Sequence, residues 1–266
     1  MVTPNRSLPT QWKKRHKITS PVAMADFTGV GADLPIGDGN LASLRGLVGR
    51  MLGHVEEQLH LVGSCIERDD PELAKQVLAN DLQVDLLEER ILLSTVSTLA
   101  LKQPLGRELR EAVGILRSAT DLERIGDLSK NIAKRLLTIG PIMEQLPRPA
   151  ILQLHRYVSD QLQIVGDLMA VEDPETIQGV LRTDGQIDEL YNSVFGELMA
   201  VTKNDQTLVA VGIQGLFLTK NLERIGDHVT NIAENLYYIH AGKVLPNDRP
   251  KSDVTSFMLD EKELTL

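Results

Sequence analysis

Aromatic side chains are almost missing from this chain: Phe, Trp and Tyr together make up 3 % of its 266 residues. A β-sandwich, which runs richer in aromatic and β-branched residues, is a poor fit. The 42 % of apolar residues rest mainly on Leu, Ile, Val and Ala, which favour packed helices. Cysteine is nearly absent too. Cys65 stands alone, so no disulfide can form within the chain, and its apolar-periodic setting reads as a reduced core thiol in a cytoplasmic protein. No apolar run reaches about 18 residues, the length that marks a membrane-spanning helix. Positive charge is in short supply: 28 Lys and Arg face 37 Asp and Glu, a net charge of −9. Binding to a nucleic-acid phosphate backbone needs clustered cations, so no nucleic-acid partner is expected; cations or basic proteins suit the charge better. The phosphate-loop, nucleophile-elbow and H-E-x-x-H zinc motifs are all missing, and no nucleophile with a partnered base stands out.

What is there is helical periodicity, twice over. Residues 1–39 scatter Pro4, Pro9, Pro21 and Pro35 among Gly29, Gly31, Gly37 and Gly39 and read as a flexible leader. Its WKKRHK stretch, positions 12–17, is either part of that disorder or a basic arm for a partner or a membrane surface; no apolar segment follows to make it a secretory signal. Asn40 is a good N-cap for a first helix. Asp70 caps a second with Pro71 at its first position, and Pro104 and Gly106 mark a turn into a third that ends at Gly140-Pro141. The order then repeats. A helix from about Ala150 precedes one opened by Asp173-Pro174-Glu175, and a turn at Lys203-Asn204-Asp205 leads into a last helix ending near Gly242. The expected fold is therefore all-α, two tandem three-helix bundles over residues 40–146 and 147–243, with a flexible tail over 244–266.

The repeat is legible in the letters. LERIGDLSKNIA, from Leu122 to Ala133, returns as LERIGDHVTNIA, from Leu222 to Ala233, with nine of twelve positions identical. Upstream, the stretches beginning at Asp70 and Asp173 share residues at a constant offset of 103, among them Asp81 with Asp184 and Asp85 with Asp188. Glu123 and Asp127 are four apart and share a helix face, as do Glu223 and Asp227, with Asn131 and Asn231 one turn further on. Folding each hairpin about its turn brings Asp85 level with Glu123 and Asp81 with Asp127; in the second copy Asp188 meets Glu223 and Asp184 meets Asp227. Four carboxylates at one height repel. Protonation, a Lys or Arg such as the neighbouring Arg124 and Arg224, or a bound cation must relieve them. Oxygen-only ligands suit hard ions such as Mg²⁺, Ca²⁺, Mn²⁺ or iron. Gly126 and Gly226 inside these helices point to close helix packing. Glu57 and His60 form a single E-x-x-H, where a bundle di-iron site needs two, and His228 points away from Asp227 as a rim residue.

With LERIGD…NIA in duplicate behind the two D-x-x-x-D pairs, residues 40 to 243 resemble the PhoU family, accessory and regulatory proteins of bacterial phosphate uptake. The resemblance implies a six-helix, two-bundle fold. It implies multinuclear clusters of hard metal ions (Mg, Mn, Fe, Zn or Ca) on Asp81, Asp85, Glu123 and Asp127, and on Asp184, Asp188, Glu223 and Asp227. It further implies a cytoplasmic, homodimeric protein that is not an enzyme and reaches the membrane only through its partners. Those partners are the ATPase subunit of the phosphate ABC transporter and a phosphate-sensing histidine kinase, and the expected output is repression of the phosphate-starvation response. The leader and tail are longer than the family's usual ends. Two other readings of the carboxylates remain: a metal-dependent hydrolase, or a helical scaffold that merely solvates them.

Overall fold

The computed structural model describes residues 40–171, 173–182 and 184–244, and of residues 141–143 and 184 only the backbone. The leader of residues 1–39 and most of the tail expected from residue 244 lie outside the described residues.

The caps fall where the sequence puts them. Asn40 accepts a hydrogen bond from the Ala42 amide at 3.0 Å and opens α1 (Leu41–Arg68). Asp70 accepts from the Glu72 amide at 2.9 Å, with Pro71 leading α2 (Pro71–Lys102). Gln103 sits in the left-handed region, and Gly106, at φ +56°, begins α3 (Gly106–Ile139). Gly140, at φ +55°, ends that helix, and a 3₁₀ stretch (Gly140–Gln145) leads to α4 (Arg148–Ala170). Asp173 caps α5 (Pro174–Arg182) through the Glu175 and Thr176 amides. α6 (Asp184–Asn204) follows on the other side of residue 183, which is outside the description. The single helix expected over this span is thus described in two segments. Asp205 caps the short turn before α7 (Val209–Ala241), which ends at Gly242. Among the described residues there is no strand, and no helix is long and apolar enough to cross a membrane.

Helices α1–α3 form one bundle and α4–α7 the other, around a continuous core of Leu, Ile, Val and Ala that includes Cys65. The bundles meet along α3 and α7, which run antiparallel: Gly114 lies against Ile239, Asp121 against His228, and Arg135 against Gln214. They meet again along α1 and α4, where His155 donates from Nε2 to the Leu59 carbonyl at 2.8 Å. Here the offset of 103 reappears, pairing Val55 with Val158, Leu59 with Leu162, Val62 with Val165 and Gly63 with Gly166, all buried except the half-buried Gly166. The first helices belong to the repeat as fully as the second and third.

Gly126 and Gly226 are close-packing glycines, as expected. A methyl on Gly126 would lie 3.1 Å from Gln58 Oε1 and 3.3 Å from Val84; on Gly226 it would lie 2.5 Å from Ile187 Cδ1. These approaches seat α3 on α1 and α2, and α7 on α6, and so fix the faces that carry the carboxylates.

Candidate metal centres

In the first copy α2 and α3 bring Asp81, Asp85, Glu123 and Asp127 to one patch. Asp81 is buried, Glu123 and Asp127 are half-buried, and Asp85 is exposed. Lys130, one turn beyond Asp127, puts its ammonium between two of them: Nζ donates to Asp81 Oδ2 and lies 2.5 Å from Asp127 Oδ1. Burial works against the charged lysine, but hydrogen bonds to Asp127 and Asp81 outweigh it and hold the group above its usual range. Burial also opposes ionisation of Asp127, yet the Lys130 contact wins and its carboxyl titrates below the usual value. Glu123 goes the other way. Burial, then the charge of Asp127, push it up to about 7, against the pull of Arg124 at 3.4 Å. Below that pH a protonated Glu123 donates a hydrogen bond to ionised Asp127. Asp85 is raised by burial and by the charge of Asp81.

Glu88, one turn beyond Asp85, adds a smaller push to Glu123, and Asp85 senses Asp81, Lys130 and Asp127. Glu88 also accepts a long hydrogen bond, 3.5 Å, from Thr120 on α3.

In the second copy Glu223 is buried, with 5 % of its surface exposed. Its Oε1 accepts from Lys220 Nζ at 3.0 Å, while Oε2 is buried without a hydrogen-bond partner. Burial raises its pKa; Lys220 opposes, and Asp227 and Asp188 add to the rise. Asp188 of α6 is thus near enough to Glu223 for its charge to be felt there. Lys220 also lies over the Tyr191 ring, 4.9 Å from its centroid. Asp184 opens α6, and its side chain is outside the description.

Of the three ways to relieve the repulsion, the structure shows lysine and arginine counter-charges, and the raised Glu123 favours the second, a carboxyl that holds its proton. Sequence reading named Arg124 and Arg224 but missed Lys130 and Lys220; a search for i,i+3 ion pairs with Asp127 and Glu223 finds both. Arg224 is exposed. Asn131 is exposed, and Asn231 turns from the carboxylates to donate to Asp121 at 3.2 Å across the α3–α7 seam. His228 joins it, with Nδ1 3.0 Å from Asp121 Oδ1, and Asn235 donates to the other oxygen at 3.3 Å. His60 is exposed on α1.

Among the described residues no three His, Cys, Asp or Glu side chains are gathered closely enough to hold a metal ion. The donor chemistry nevertheless fits a hard cation. The set is oxygen-only, Glu223 Oε2 is buried and unsatisfied, and two lysine ammoniums already occupy positions that attract positive charge.

A PhoU domain model matches the chain at residues 48–136 and again at 151–236, one copy per bundle. The chain is 39 % identical over 218 residues to a phosphate-specific transport system accessory protein PhoU homolog of Caulobacter vibrioides, covering 81 % of this chain and 94 % of that one. It is 36 % identical over 221 residues to the homolog of Rhizobium meliloti, covering 82 % and 93 %, and 30 % identical over 203 residues to PhoU of Escherichia coli, covering 76 % and 84 %. The crystal structure of PhoU from Pseudomonas aeruginosa superposes with a TM-score of 0.72 at 29 % identity, covering 76 % of this chain and 98 % of that one. That of the phosphate transport system regulatory protein PhoU from Streptococcus pneumoniae gives 0.72 at 25 %, covering 77 % and 97 %. The duplicated helical unit, its paired carboxylate faces and these matches over most of the chain agree: the protein belongs to the PhoU family.

Proposed function

We propose that the chain is a metal-binding regulatory adaptor of bacterial phosphate uptake and signalling, working in the cytoplasm as a homodimer and by contact rather than turnover. The observation that carries this reading is the pair of carboxylate clusters on a scaffold that phosphate-transport accessory proteins match over most of its length. Asp81, Asp85, Glu123 and Asp127 would hold one hard cation or cluster, and Asp184, Asp188, Glu223 and Asp227 the other. The bound cation would supply positive charge and open coordination positions to an acidic face. The chain's own residues do the rest. Lys130 and Lys220 keep the clusters folded in its absence. Glu123, titrating near neutrality, gives up its proton when positive charge arrives.

The proposed partners are the ATPase subunit of the phosphate ABC transporter and the phosphate-sensing histidine kinase, and the proposed direction is repression of the phosphate-starvation response while phosphate is plentiful. The test is expression of phosphate-starvation genes in replete medium. Deleting the chain should leave them on, and restoring it should switch them off. Genes that stay off in the deletion strain would contradict the reading. Turnover with Mn²⁺ or Mg²⁺ that is lost in Asp127→Ala would favour the hydrolase instead.

A further inference from the structure

The fold accounts for one side of α2 and not for the other. Val77, Val84, Ile91, Thr95 and Thr98 face inward and are buried. On the opposite side Leu82, Leu86, Leu93 and Val96 keep 60, 50, 42 and 56 % of their surface exposed. Their spacings of four, seven and three residues place them along one stripe of the helix, and exposed Leu92 widens it. Single exposed leucines are ordinary on soluble proteins; a continuous row marks an interaction site. The three-helix unit does not require the row. At the offset of 103 the second copy has Gly185, Glu189, Gly196 and Met199 in its place.

The two edges of the stripe differ in charge. Toward α3 stand Asp85 and Glu88, then Glu123 and Asp127, with Arg124 and Lys130 among them, and Glu89 lies within the row. Away from α3 are Gln83 and Arg90. An apolar row with one acidic edge complements a helix that has apolar residues on one face and Lys or Arg along one side. Glu88 and Glu89, which belong to neither proposed cation site, would repel an anionic membrane surface. A second copy laid antiparallel would set acidic edge against acidic edge.

We propose that the outward face of α2, from Leu82 to Val96, is the docking surface for an amphipathic helix of a partner protein, held by leucine-type contacts and by basic side chains against Glu88 and Glu89. This rests on the reading that the chain works by contact, and it names where contact is made and what chemistry meets it. Expression of the phosphate-starvation genes tests the adaptor role, whereas peptide binding tests only the surface.

The probes are synthetic helical peptides of about 18 residues with one leucine face, edged either by Lys or by Glu, and a Lys peptide of the same composition whose leucines are scattered around the helix. Binding to the full-length protein is followed by fluorescence anisotropy. The Lys-edged peptide should bind at least about tenfold more tightly than the other two, a gap of about 1.4 kcal/mol. Leu86→Asp with Leu93→Asp, both at exposed sites, should abolish that preference while circular dichroism stays helical. Glu88→Lys with Glu89→Lys should transfer it to the Glu-edged peptide. Equal binding of the scattered peptide, or undiminished binding by the leucine variant, would overturn the proposal. So would a dimer in light scattering that the leucine variant converts to a monomer, or anionic-vesicle binding that it abolishes, since the stripe would then serve a second copy or a membrane.

Discussion

The two carboxylate clusters share their acidic phrase and differ in the base that answers it. In the first, the lysine lies C-terminal to the acids and spans two helices, joining Asp81 of α2 to Asp127 of α3. In the second, Lys220 precedes the acids and serves Glu223 within one helix, leaving Oε2 of that carboxylate unsatisfied. The residue at the position of Lys130 in the second copy is Thr230, and that at the position of Lys220 in the first is Thr120. The acids thus occupy equivalent places while the counter-charge has moved. What the two copies have in common is a set of oxygen donors, not a particular salt bridge. The same contrast runs through α2 and α6, where equivalent outward positions are three leucines and a valine in one copy and two glycines, a glutamate and a methionine in the other.

The largest expected break between the copies is at the α1–α4 crossing. A methyl on Gly63 would lie 2.3 Å from the ring of His155, which is anchored to the Leu59 carbonyl; a methyl on Gly166 would lie 2.7 Å from the free end of Leu52. Leu52 and His155 are themselves equivalent at the offset of 103. Gly63→Ala should cost about 3 kcal/mol and Gly166→Ala about 1 kcal/mol in urea denaturation, because the leucine can turn aside and the histidine cannot. Equal costs would mean that the histidine is not held. Burial also depresses the His155 pKa, so the folded state binds its proton less readily than the unfolded one; stability from this group is lost as pH falls through the ordinary histidine range.

Next come the lysines. Lys130→Met leaves Asp81 buried without its cation and should destabilise by about 2 kcal/mol at pH 8. Lys220→Met should cost only about 1 kcal/mol, since Glu223 can take up a proton, and that smaller loss should shrink as pH is lowered. Thermal melts of both variants across pH 5 to 8 distinguish the two behaviours.

The smallest effect concerns Glu123. Its folded pKa of about 7 stands above the 4.5 of an ordinary glutamate, so the folded state holds the proton more tightly. The stability it contributes is present below about pH 4.5 and is lost as pH rises toward 7; Asp127, whose pKa is lowered, contributes in the opposite sense. Glu123→Gln fixes the neutral form. It should raise stability at pH 8 by about 1 kcal/mol, discounted for partial exposure, and flatten the profile between pH 5 and 7. An unchanged profile would place the titration elsewhere.

Much of this was open to reading from the letters, because helix period, caps and glycine positions are local. Asn40, Asp70 and Asp173 cap helices by contacts two or three residues away, which a sequence displays directly. The midpoint argument sets Asp188 opposite Glu223 because helix rise is nearly constant, and the charge of Asp188 does reach Glu223. It could not foresee that Lys130 reaches across from α3 to Asp81, because which side chains meet between two helices depends on how the helices pack. The Asp121, His228, Asn231 and Asn235 cluster was invisible for a similar reason. It exists only where α3 and α7 cross, and no local period announces a contact more than a hundred residues away.

Metal titration of the wild type beside two cluster variants tests the central claim most directly. Glu123→Gln with Asp127→Asn removes donors from the first copy, and Glu223→Gln with Asp227→Asn from the second; bound Mn²⁺, Fe and Zn are counted by elemental analysis after dialysis. Each variant should lose the metal of its own copy and keep that of the other. In the wild type near pH 6.5, metal binding at the first copy should also release the Glu123 proton, seen as a dependence of binding heat on buffer ionisation. Metal content that is the same in the wild type and both variants would show that the carboxylates are answered by Lys130, Lys220 and protons alone.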